Sequence, residues 1–219
     1  MKKFIKKTTN SNNYFKNYCD LIIDIDWKKS NFNRISLINK AINKFNNCNY
    51  LEIGCDKNEC FDSIATLNKI GVDPESGGTI RETSDEFFSN NKNIFDVIFV
   101  DGLHTFDQCR KDVINSLNCL NLNGYIFIHD LIPRNWLEEH IPRLQTLWTG
   151  DVWKVGVELS VSQGIDFNVV LADHGVGIIK KINKITNYKD RYIELKDLRF
   201  KDYFDFTDKI SFINPEEFI

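Results

Sequence analysis

Asp101, His104, His129 and Asp130 stand at the ends of two apolar runs, VIFV closing on Asp101-Gly102-Leu103-His104 and YIFI closing on His129-Asp130. Carboxylates and imidazoles are the side chains that move protons near neutral pH. Continuous apolar runs of this kind suit strands buried on both faces of a parallel sheet. Between the runs, Phe106, Cys109, Val113, Leu117 and Leu120 recur at helical spacing, which predicts an amphipathic helix over 105–120. Thr105 and Gln108 have the pattern of a capping box at its start, and Gly124 lies just past its end. If the two strands are parallel neighbours, the four ionisable residues converge on one sheet edge, where open α/β sheets bind their ligands.

A second unit precedes this one. The run YLEI ends in Glu52-Ile53-Gly54-Cys55-Asp56, and Asp73 follows 19 residues after Gly54, closing the stretch KIGVD. A strand, a glycine turn, a helix and a second strand ending in an acid form the half-fold that presents a nucleotide-containing cofactor. Free amides of the turn are expected to face the ligand's anionic end, with the acid on ribose hydroxyls. The turn holds one glycine where GxGxxG has three, which disfavours an NAD(P)-dependent oxidoreductase. Glu52 also reads as a partner for a surface lysine, Asp73 as a turn initiator before Pro74, and Ser84-Asp85 as a helix cap.

The rest of the chain positions or covers that edge. Ile35, Ile38, Ile42 and Phe45 predict a helix over 33–46, and residues 14–30 are compatible with another, behind an arm expected to be loosely held over 1–13. A short edge strand is expected around Ile80. After Asp130 a proline-punctuated segment with Trp136 and Trp148 would overhang the site. VWKVGVELS reads as a helix capped by Asp151, with a strand as the rival. FNVVLADHGVGIIKKI reads as a hairpin turning at Asp173-His174-Gly175, which makes His174 a turn residue. The expected organisation is an arm and helical extension over 1–30, a domain over 31–182, and a C-terminal extension over 183–219 that packs on the domain or forms a homodimer contact.

Net charge of -3 and dispersed lysines and arginines disfavour nucleic acid and anionic membranes as partners. No run approaches the roughly 20 apolar residues of a membrane span, and the basic N-terminus lacks a signal-peptide core, so a cytoplasmic protein is expected. Six cysteines without zinc-type or disulfide-framework spacing read as reduced thiols.

With LEIGC, GVDPESGG, TSDEFF, FDVIFVDGLHTFDQ and NGYIFIHD in view, roughly residues 50–132 resemble the class I S-adenosylmethionine-dependent methyltransferases, in particular methyltransferase domain family 24. GDVWK and GVGIIKK are weaker echoes. The resemblance implies a Rossmann-like, doubly wound α/β fold: a seven-stranded sheet, mostly parallel, with a C-terminal antiparallel hairpin. It implies that Glu52, Gly54 and Cys55 hold the amino acid end of S-adenosylmethionine, that Asp73 binds its ribose, that Ser84 and Asp85 lie near its adenine, and that Asp101 sits beside the transferred methyl. The chain is also similar to metal-dependent O-methyltransferases of sugars and catechols. That likeness implies a divalent ion, Mg, Mn or another, on Asp101, His129 and Asp130, with His104 as the base beside Asp101. Hard cations prefer oxygen, so His129 fits magnesium poorly. The alternative for His129-Asp130 is a hydrogen-bonded pair at a strand end without metal. The expected activity is O-methylation of a small hydroxylated acceptor such as a sugar or glycan precursor. The rival from another class is a non-catalytic binding or assembly module on the same fold.

Overall fold

The computed structural model describes residues 1–8 and 18–218. Its main sheet is built from β3 (Tyr50–Ile53), β4 (Lys69–Val72), β5 (Phe95–Val100), β6 (Leu120–Ile128), β7 (Ile165–Val170), β8 (Val176–Lys181) and β9 (Phe212–Ile213), after a small sheet of β1 (Ile5–Lys7) and β2 (Leu21–Ile23). The helices are α1 (Arg34–Ile42), α2 (Glu59–Ser63), α3 (Ser84–Asn90), α4 (Phe106–Asn118), α5 (Trp136–Glu139), α6 (Trp153–Leu159), α7 (Tyr192–Leu195) and α8 (Phe200–Tyr203). Strand order is β4-β3-β5-β6-β8-β7-β9. β4, β3, β5 and β6 run parallel, β8 runs against both β6 and β7, and β9 is parallel to β7. This is the Rossmann-like, mostly parallel α/β sheet with its antiparallel hairpin.

Alternation along the central strands divides the core into two layers. Ile98, Val100, Ile126 and Ile128 pack towards α4 and α6, while Val97, Phe99, Tyr125 and Phe127 pack towards α1 and α2. Both faces of the sheet are therefore dry at Val97–Val100 of β5 and Tyr125–Ile128 of β6, which is why these stretches are unbroken apolar runs. The sheet reaches seven strands because the C-terminal segment supplies β9; the strand expected around Ile80 shrinks to an isolated bridge from Val72 to Ile80.

Four local expectations are corrected. The N-terminal residues expected to be a loose arm include β1, paired antiparallel with β2, so Leu21–Ile23 is strand where a helix was compatible; the expectations over 9–17 lie outside the described residues. Ile23 is buried in the main core, and that burial competes successfully with helix formation. The capping box of α4 is half made: Thr105 accepts from Gln108 N, but the Gln108 side chain turns instead to Ser84, Asp85 and Asp112. Thr83, with Glu86 closing a full capping box, caps α3. Asp151 does not cap α6; its Oδ1 accepts from Phe106 N at the start of α4 (2.7 Å) and its Oδ2 from buried Lys154 (2.7 Å). Among the described residues no helix is long and apolar enough to cross a membrane, and all six cysteines are unpaired.

Candidate active site

The turn after β3 and the end of β5 touch. Gly54 has φ +85°, and a Cβ there would lie 2.3 Å from Asp101 O, so only glycine permits this approach. The remaining left-handed positions of the turn are taken by Asp56 (φ 42°) and Asn58 (φ 65°), which do the work expected of further glycines. At the end of β4, Asp73 Oδ2 accepts from Cys55 N (2.9 Å) and Asp56 N (3.0 Å), and Oδ1 from Glu75 N (2.8 Å) and Ser76 N (2.8 Å). Burial would raise the pKa of Asp73, but these amides outweigh it and hold the carboxyl below its ordinary value. Two of the amides expected to be free for a ligand thus serve Asp73, and four bonds occupy about as many acceptor sites as a carboxylate offers. Asp73 ties together the two loops that wall a cavity of about 720 Å³.

That cavity, within the size range of small-molecule sites, is lined by Gly54, Asp73, Ser84, Asp85, Asp101 and Arg143 among others. Ser84 and Asp85 are released from capping by Thr83 and accept from Gln108 Nε2, each at 3.1 Å. A second cavity of about 400 Å³ is lined by Arg34, Glu52, Cys55, His129, Trp148 and Asp173 among others. Gly54, Asp56, Asp101 and His104 line both. Glu52 and Cys55 therefore face the smaller cavity, while Asp73, Ser84 and Asp85 face the larger.

The four strand-end residues do converge. Asp101 Oδ1 lies 3.2 Å from His129 Nδ1 and 3.4 Å from His104 Nε2, without a well-aligned hydrogen bond to either. His104 Nδ1 lies 3.0 Å from Asp130 Oδ2 and 2.9 Å from Trp148 O, and its ring stacks on the Trp148 indole. His129 Nδ1 is 3.3 Å from Asp130 Oδ1, and its Nε2 is 3.5 Å from Asp173 Oδ1. Asp130 is held at φ 65°, a conformation an aspartate adopts at some cost.

Electrostatics follow from this packing. Burial disfavours the charge on Asp101, but the two imidazoles hold its carboxyl well below the usual range. Burial likewise opposes the His104 imidazolium, yet Asp101 and Asp130 raise its pKa to about 10, and the same two acids raise His129. Burial raises Glu52 to about 7 despite the Tyr50 hydroxyl bonded to it.

Arg34 and Asp173 belong to the site but carried no signal in sequence. Arg34, the first residue of α1, gives both its backbone N (3.0 Å) and Nη1 (2.9 Å) to Asp173 Oδ2. Asp173 read only as part of a hairpin turn, and it is in that turn, at φ 45°. The pairing joins segments 139 residues apart, a distance no local pattern reports.

A methyltransferase domain family matches residues 52–131, the stretch from Glu52 to Leu131 that supplies most of both cavities. Over these residues the chain matches a methyltransferase domain. No curated protein matches its sequence. Among solved structures, the chain is similar to a Staphylococcus aureus protein assigned as a caffeoyl-CoA O-methyltransferase, with TM-score 0.52 and 18% identity over 69% of this chain and 85% of that one. It is also similar to an S-adenosylhomocysteine-bound methyltransferase from Podospora anserina, with TM-score 0.50 and 18% identity over 71% of this chain and 77% of that one. A protein from Corynebacterium glutamicum matches with TM-score 0.52 and 14% identity over 69% and 81%. At these identities the likeness to solved structures speaks to the fold.

Proposed function

We propose that the protein is an S-adenosylmethionine-dependent methyltransferase that moves a methyl group from this cofactor to a hydroxyl of a small polar acceptor, such as a sugar or glycan precursor. The observation that carries this reading is the meeting of two cavities at Asp101 and His104. The larger, bounded by Asp73, Ser84 and Asp85, suits the adenosine part of the cofactor; the smaller suits the acceptor. The cofactor supplies the electrophilic methyl on its sulfonium. The chain's own task is to aim a hydroxyl and accept its proton. His104 has the geometry for that task, since Asp130 and Trp148 O fix Nδ1 and leave Nε2 at the junction beside Asp101. Flanked by two carboxylates it holds a proton too tightly to act as a base near pH 7; positive charge brought to the junction offsets those carboxylates and frees it.

A second reading rests on a separate observation. Ligand atoms of Asp101, His104 and Asp130 lie within 4.8 Å of one another, and Asp101 Oδ1 is buried without a hydrogen bond. Two carboxylates and an imidazole fit a divalent ion such as manganese or zinc better than magnesium. This set includes His104 where the sequence pointed to His129, and His104 as ligand would not also be the base. Such an ion would lower the pKa of a coordinated hydroxyl and orient it.

The test is calorimetry with S-adenosylhomocysteine followed by an acceptor screen that reads its release, with and without EDTA. Absence of binding at millimolar concentration would overturn the cofactor assignment. Turnover that survives chelation assigns the proton to His104 alone; turnover abolished by EDTA and restored by manganese assigns the metal.

A further inference from the structure

Arg34 brings a cation to the smaller cavity with one donor left over. It is the first residue of α1, where Asn33 and Ser36 close a capping box, and Asp173 Oδ2 accepts from its backbone N at 3.0 Å and from its Nη1 at 2.9 Å. Nη1 also lies 3.5 Å from His129 Nε2. The backbone and one edge of the planar guanidinium are thus fixed, which sets the direction of Nε. That atom is buried and has no hydrogen-bond partner. Asp101 Oδ2 lies 3.9 Å from it, beyond hydrogen-bond reach, and the other oxygen of the same carboxylate is likewise buried without a partner. Arg34 and Asp101 both line the smaller cavity, and Asp101 also lines the larger one. An unmatched donor beside an unmatched acceptor marks a place for a group that is both, and a hydroxyl is such a group. A single oxygen at about 2.8 Å from Nε and from Oδ2 spans the gap between them.

We propose that Arg34 is a catalytic residue of the transfer, its Nε donating to the attacking oxygen of the acceptor and holding that oxygen against Asp101. The inference rests on the reading that a hydroxyl is methylated at the junction of the two cavities. In the reaction the acceptor's O–H bond breaks and its proton passes to His104 Nε2, which lies 3.4 Å from Asp101 Oδ1. The oxygen's electron pair forms the new C–O bond, and the C–S bond of the sulfonium breaks with its pair left on sulfur. Negative charge gathers on the oxygen before its bond to carbon is complete, and a guanidinium fixed in advance stabilises that charge without reorganising. Asp173 acts through Arg34 as a positioning residue, since its hold on the backbone and Nη1 aims the Nε edge. Lys57 lines the same cavity but is exposed, and its ammonium is a mobile point charge without a fixed planar edge. Arg34 and Asp173 lie on either side of residues 52–131, so this part of the site comes from the segments that flank the matched domain.

The experiment follows release of S-adenosylhomocysteine by the full chain with millimolar methyl glycosides, sugar phosphates, nucleotide sugars and catechol as acceptor probes. Calorimetry measures S-adenosylhomocysteine binding by the same variants. Loss of one donor to a developing oxyanion lowers the rate by about 10²- to 10³-fold. Arg34→Met is expected to lose kcat by that factor on whichever probe wild type methylates, while its affinity for S-adenosylhomocysteine stays within a few-fold of wild type. Arg34→Lys keeps a cation opposite Asp173 but not the Nε edge, so it should unfold at the wild-type temperature and still be slow. A rate within a few-fold of wild type in Arg34→Met, or a wild-type rate in Arg34→Lys, overturns the contact between Nε and the acceptor. So does a loss of cofactor affinity as large as the loss of rate, which would place Arg34 on the cofactor. Should Arg34→Met fail to fold, Arg34→Lys decides the matter by the same criteria. A wild type that releases no S-adenosylhomocysteine with any probe overturns the reading of hydroxyl methylation itself, and this inference with it.

Discussion

At the scale of single residues, His104 and Glu139 lead to separate measurements. His104 contacts both Asp101 and Asp130 at the junction of the cavities, so His104→Gln is expected to lower the methyl transfer rate by about 10²- to 10⁴-fold, the usual worth of a positioned proton acceptor. Affinity for S-adenosylhomocysteine should change far less, and a rate within a few-fold of wild type would exclude the role. Glu139 is 1% exposed, its carboxyl accepts from the Trp153 indole N–H at 3.5 Å, and burial raises its pKa from 4.5 to about 8, with Lys154 opposing. Between these values the folded protein binds more protons than the unfolded chain, so the stability Glu139 contributes is present below about pH 4.5 and lost as pH rises through 8. Urea unfolding at pH 5 and pH 8 should show Glu139→Gln with a smaller loss of stability between the two than wild type; parallel losses would contradict the assignment. The strand-end residues were legible because buried parallel strands deliver their last residues to one edge. The environment of Glu139 was not, since its burial comes from α6 and the C-terminal segment, which lie far along the chain.

At the scale of elements, the segment between α5 and α6 holds His104 from outside. Thr149 N and Gly150 N both donate to Glu138 O, the Trp148 ring stacks on His104, and Trp148 O receives the bond from Nδ1. Gly150 makes this approach feasible: at φ +59° a Cβ would lie 1.6 Å from His104 O. Gly150→Ala therefore has to push the whole segment off His104, and it should cost about 1–3 kcal/mol of stability, the range for backbone strain of this type. Its methyl transfer rate should fall with little change in cofactor affinity, because the segment touches the larger cavity only through Arg143. Wild-type rate and stability in this variant would show that the close approach is dispensable. Sequence pattern placed a loop over the site through its prolines and tryptophans, yet which glycine was constrained depended on a contact 46 residues away. The same limit explains Asp151, whose cap serves α4 across space and not the helix that follows it in sequence.

At the scale of the whole molecule, the C-terminal segment is part of the core. Leu195, Phe200, Tyr203, Phe206 and Ile210 are buried together with Trp153 in the layer that includes α4 and α6, and β9 extends the sheet from β7. Polar bonds reinforce the join: Glu158, fully buried, accepts from Arg110, from the Tyr188 hydroxyl and from Arg191 N, while Lys154 donates to Lys196 O. Sequence alternation of charges and aromatics in this tail showed many apolar side chains but not the surface they would cover, because the covering surface is α6. Burying a large apolar side chain contributes about 1.5–3 kcal/mol. Five of them contribute on the order of 10 kcal/mol, comparable to the roughly 5–15 kcal/mol by which a whole domain is stable. Removal of residues 183–219 is therefore expected to leave a chain that does not fold, and Glu158, Arg110 and Lys154 would lose partners at the same time. Far-UV circular dichroism and thermal unfolding of the truncated chain decide this: a cooperative transition within a few degrees of wild type would show that the domain stands without its tail.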